Sequence, residues 1–162
     1  MVNIIVELSK YLMIIFITMY TYLCFNIFGY YDPDKKKRML RKQNVLMFTI
    51  HMIAFVVMYL ETEDIKMFAF YLMQVVLLGA IILLYTLIYP KVSRLVVNNM
   101  CMLLSIGLIM LTRLNYEKAV KQYVIAAGTV ALSLVVPVII RKFKKLPEWR
   151  KFYGIAGIVS LG

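Results

Sequence analysis

The stretch Met67–Tyr89, MFAFYLMQVVLLGAIILLYTLIY, contains no charged residue and one amide, Gln74. At about 1.5 Å per helical residue it reaches roughly 34 Å, enough to cross a hydrocarbon core of about 30 Å. A water-soluble domain has no place for such a run, because a helix apolar on every side has no face to turn to solvent. The expected solvent of this stretch is the bilayer. Working outward, four further segments of similar character run from Ser9 to Phe28, Asn44 to Leu60, Leu95 to Thr112 and Ala119 to Ile140. A sixth opens at Phe152 and reaches only Gly162, near half a span, and is read as a helix cut short.

Composition agrees. The 162 residues are 63% hydrophobic and 17% charged, with a mean hydropathy of +0.82; a soluble domain is more polar than this. Disorder is excluded because 14% of the chain is aromatic. Neither period-two alternation nor an Asn-Gly or Asp-Gly hairpin signal occurs, which argues against a membrane β-barrel. Glu7 and Lys10 stand where a signal peptide would have its basic region, and no small-x-small cleavage site follows, so the first span is expected to stay in the chain. The expected fold is an all-α, polytopic helical membrane bundle with five complete spans and a truncated sixth.

The net charge of +11 would raise nucleic acid as a partner in a soluble protein. Here it sorts by connection. Lys35, Lys36, Lys37, Arg38, Arg41 and Lys42 follow the first span, Lys91 and Arg94 the third, and Arg141, Lys142, Lys144, Lys145, Arg150 and Lys151 the fifth. Against these stand Asp32, Asp34 and Glu148, so the whole excess lies in three alternate connections and the remaining charges cancel. Short loops rich in Lys and Arg stay in the cytoplasm, which predicts an N-terminus outside and no nucleic-acid partner. Tyr30, Tyr31, Tyr59, Tyr89, Tyr116 and Trp149 fall near span ends, where amphipathic rings prefer the headgroup region.

Motifs for chemistry are sparse. No Gly-rich phosphate loop, Cys-x-x-Cys, His-Glu-x-x-His or Gly-x-Ser-x-Gly is present. No residue is assigned to catalysis, cofactor or metal. His51, alone of its kind, lies mid-span; with no carboxylate in the spans to relay a proton, a hydrogen-bonded packing role is preferred to a proton path. Gln74, Asn98, Asn99 and Ser105 need partners in hydrocarbon and read as interhelical glue, with the lining of a polar cavity as the sharper alternative. Gly107, Gly128, Gly154 and Gly157 are expected to admit close helix contacts. Pro137 is expected to end the fifth helix more readily than to hinge it. Glu61 to Asp64 read as a solvated external turn. Cys24 and Cys101, both within spans, are not expected to form a disulfide. Lys35, Lys36, Lys37, Arg38, Arg41, Lys42, Arg141, Lys142, Lys144 and Lys145 are candidate contacts for anionic membrane lipids, though topology alone accounts for the first cluster.

From Asn98 onward one pattern combines several weak signals. Leu103 to Leu111 reads Leu-Leu-Ser-Ile-Gly-Leu-Ile-Met-Leu, a short turn follows, and Ala119-Val120-Lys121-Gln122 opens a helix containing Gly128; a basic connection leads to Phe152-Tyr153-Gly154. In order and spacing this resembles the SEDS family, the FtsW/RodA/SpoVE proteins of bacterial cell division, elongation and sporulation, with Gly107, Lys121, Gln122, Gly128 and Tyr153 as the positions that match. Residues 1–95 would be a three-helix membrane extension and residues 96–162 the start of the core, two spans and part of a third. Departures occur at Arg113–Tyr116 and at Arg141-Lys142, where an Asp-Tyr is common. The resemblance implies the N-terminal part of a peptidoglycan glycosyltransferase of the bacterial plasma membrane. The whole protein would polymerise lipid II beside a partner transpeptidase and other division or elongation proteins, with a divalent cation assisting. The acidic residue of that reaction would lie beyond residue 162, leaving this portion inactive alone. A small non-enzymatic adaptor of a cell-envelope complex is the alternative, and a small transporter a weaker one, since no internal repeat is found.

Overall fold

A computed structural model describes residues 2–142, with side chains described over residues 4–137. Within them lie five long helices: α1 (Val2–Asn26), α2 (Pro33–Thr62), α3 (Ile65–Ile88), α4 (Arg94–Leu114) and α5 (Tyr116–Lys142), with a short 3-10 turn, Ile27–Gly29, after α1. All five are long and apolar enough to cross a membrane, and the chain is a multi-pass, all-α membrane protein. The expected sixth span, with Tyr153, Gly154, Gly157, Lys144, Lys145 and Trp149, falls outside the described residues.

Helix boundaries follow local chemistry more closely than hydropathy. Asp32 accepts from the Asp34 N–H at 2.9 Å and Pro33 occupies the first helical turn, so α2 begins before the basic run. Lys35 to Lys42, expected in a connection, are therefore helical, and Lys and Arg are good helix formers. Glu63 closes α2 in the left-handed region at φ 52°, its N–H bonded to Tyr59 O, and Asp64 caps α3 by accepting from the Lys66 N–H. The acidic turn thus serves as a C-cap and an N-cap. Asn115 alone separates α4 from α5 and accepts from the Lys118 N–H.

Pro137 does not end α5, which continues to Lys142. A proline removes one backbone bond, whereas stopping the helix in hydrocarbon would leave several groups unpaired.

Residues Met1–Val124 form one compact unit, and those from Ile125 on form a second. In the first, α2 is central and packs against α1, α3 and α4, while α3 also packs against α4. Gln43, Met47, Ile50, His51, Ala54, Phe55 and Met58 make its buried stripe, and Val97, Asn98, Cys101, Ser105, Leu108 and Thr112 make that of α4. Between lipid-solvated helices apolar contact alone gives little drive, so close packing and buried hydrogen bonds hold the unit together. Near the far end of α2, Phe55, Met58, Phe70 and Ala119 are buried together against Tyr71, Tyr116 and Tyr123. In the second unit Leu132, Val135 and Val136 of α5 are exposed, as suits a lipid-facing helix.

Contrary to the expectation of close packing, a Cβ at Gly107 or Gly128 would meet nothing within 4 Å among the described residues.

Candidate functional site

Two buried polar sets lie inside the first unit. The first links three helices. Asn99 Oδ1 on α4 accepts from Tyr20 Oη at 2.9 Å and Cys24 Sγ at 3.2 Å, both on α1. Gln43 Nε2 on α2 donates to Cys24 Sγ at 3.5 Å. Asn98 Nδ2 donates to Gln43 Oε1 and to the Leu40 carbonyl, each at 3.1 Å. The adjacent Asn98 and Asn99 thus meet Cys24 and Gln43, far from them in sequence, at one level, and both cysteines are free thiols. Gln43 and Tyr20 went unrecognised in the sequence. Gln43 borders a basic run and looks like a solvated edge residue, yet it continues the stripe to Met47, Ile50, Ala54 and Met58 at helical spacing, which was the available signal.

The second set lies deeper. His51 Nδ1 is 2.8 Å from Ser105 Oγ, and its ring stacks on Tyr71 at 5.6 Å and tilts against Phe55 at 5.0 Å. These contacts are of the kind a packing role calls for. Its Nε2, and both amide atoms of Gln74, are buried with no hydrogen-bond partner among the described residues. Tyr71 and Gln74 stand three residues apart on one face of α3, and Gln74 is fully buried. An unpaired buried amide costs about 1–3 kcal/mol. Gln74→Leu should therefore leave the denaturation midpoint unchanged or raise it, measured by unfolding in detergent; a loss of stability would reveal a partner for Gln74.

Grooves show how the helices align. An apolar cavity of about 310 Å³ between α1, α2 and α4 is bounded by Lys10, Glu61 and Arg113. A wider groove of about 490 Å³ between α2, α3 and α4 is bounded by Lys37, Arg41 and Arg94. The start of α2, the end of α3 and the start of α4 thus share one end of the bundle, which is strongly basic. A third, shallow groove of about 390 Å³ on α4 is lined by Leu103, Gly107, Leu111, Leu114 and Gln122.

Lys35, Lys36, Lys37, Arg38, Arg41 and Lys42 all lie on the first three turns of α2, where Lys35 covers the Tyr30 ring at 5.8 Å. Only Lys37 and Arg41 of this group reach the wide groove. Arg141 and Lys142 end α5, and their side chains are outside the description. Among the described residues no group of three or more His, Cys, Asp or Glu side chains could hold a metal ion.

Five spans, polar glue at two depths and a basic rim define a multi-pass helical membrane protein. Comparison with family models, curated proteins and solved structures finds no match.

Proposed function

We propose that this chain is the N-terminal membrane portion of a SEDS-type peptidoglycan glycosyltransferase, set in the bacterial plasma membrane with its N-terminus outside and its basic end in the cytoplasm. In this reading α1 to α3 brace α4, the first helix of the catalytic core, and α4 with α5 opens that core. The observation that carries the proposal is the groove shared by Gly107 and Gln122, two positions on which the resemblance rests. They lie on different helices, joined through a one-residue turn at Asn115, in the order of core helix, short turn and core helix that the family pattern requires.

The groove offers an open apolar seat for later core helices. The described residues supply anchoring and bracing; polymerisation of lipid II, and the docking of a partner transpeptidase, belong to the whole protein. Reading the coding frame past residue 162 and assaying its purified product with lipid II tests the proposal. Further spans, a long external loop and glycan strands are expected from the whole protein, with none from residues 1–162. A stop codon at that point, or a longer protein that leaves lipid II unpolymerised, would overturn it.

A further inference from the structure

We infer that the wide groove at the basic end of the bundle is a binding site for an anionic phospholipid, its phosphate held by Lys37, Arg41 and Arg94 and an acyl chain lying along Phe48, Ile82 and Leu83. The groove combines two chemistries in order of depth. Lys37, Arg41, Asn44 and Phe48 follow one another at intervals of three or four residues, so they form one stripe down α2 that changes from cationic to amide to aromatic over about 16 Å. Arg94 opposes the cations from the first turn of α4, a turn with no acidic residue and with the positive end of the helix dipole behind it. The opposite wall, from α3, is Gly79, Ile82, Leu83, Thr86 and Leu87.

No carboxylate among the described residues is paired with the rim cations. Among the described residues the one ion pair is Lys10–Glu7, on α1, and no carboxylate lines the groove. Topology requires basic residues near this interface but not their convergence from two helices on one apolar furrow. A free phosphate would use the rim and leave the furrow to lipid tails, whereas an anionic amphiphile fills both. The inference is independent of the glycosyltransferase proposal.

Native mass spectrometry of the purified protein in micelles, titrated with phosphatidylglycerol or phosphatidylcholine, tests it. Phosphatidylglycerol should be retained preferentially. The triple variant Lys37→Gln, Arg41→Gln, Arg94→Gln should weaken that retention by on the order of tenfold or more, since each basic residue contributes measurably to headgroup attraction. A charge-matched control, Lys35→Gln, Lys36→Gln, Arg38→Gln, removes three cations that do not line the groove and should change it less than about twofold. Circular dichroism melts establish that both variants are folded. Glycerol 3-phosphate, the headgroup chemistry without a chain, should fail to displace the lipid. Equal loss in the two variants, no preference over phosphatidylcholine, or displacement by glycerol 3-phosphate would each overturn the inference.

Discussion

Asn98→Leu should lower the stability of the bundle by about 2–4 kcal/mol. Its amide gives up two bonds, to Gln43 Oε1 and the Leu40 carbonyl, and interhelical hydrogen bonds in membranes average about 0.6 kcal/mol each. The larger share comes from what is left behind. Gln43 is fully buried, so its amide oxygen would remain without a donor in a medium that offers no water, a loss of about 1–3 kcal/mol. Removing both side chains together should therefore cost less than the sum of the single changes, because no stranded group remains. Unfolding of Asn98→Leu, Gln43→Leu and the double variant in mixed micelles measures this; additive losses would show that the two amides do not depend on one another.

Phe70→Ala should destabilise by about 3 kcal/mol, near the lower end of large aromatic truncations, because burial from lipid returns less than burial from water while the cavity term stays. Phe70 is 2% exposed and meets three rings edge-on: Tyr116 at 5.3 Å, Tyr123 at 5.9 Å and Phe55 at 6.4 Å. It thereby ties α3 to α2 and to the first turns of α5. Such ring pairs contribute about 0.5–1.5 kcal/mol beyond area, so a cycle with Tyr116→Leu should show coupling of that size. Phe68→Ala is the control, since Phe68 is 53% exposed two residues away; a comparable loss there would mean that the ring cluster is not what matters.

The spans were legible because length and hydropathy are local properties. Met67–Tyr89 needs no partner to be recognised as a membrane helix, and α3 occupies Ile65–Ile88. Boundaries were less legible where charge and capping disagree. The run Lys35–Lys42 looks like a connection by charge, while Asp32 and Pro33 mark a helix start, and the capping geometry prevails.

Single polar residues could be picked out, but their grouping could not. Tyr20 and Asn99 are 79 positions apart, and only the register of α1 against α4 brings them together. Gln74 shows the converse: it looked like glue and has no partner among the described residues. Gly107 and Gly128 misled for a related reason, since a small residue permits close packing without requiring it.

Orientation underlies the rest of the account, from the lipid leaflet at the basic rim to the placement of α4 as a core helix. Single cysteines at Glu61 and Val92, in a Cys24→Ala, Cys101→Ala background expressed in bacterial cells, report it directly through labelling with a membrane-impermeant maleimide. Glu61→Cys should label in intact cells and Val92→Cys only after permeabilisation; labelling of Val92→Cys from outside, with Glu61→Cys protected, would contradict the account.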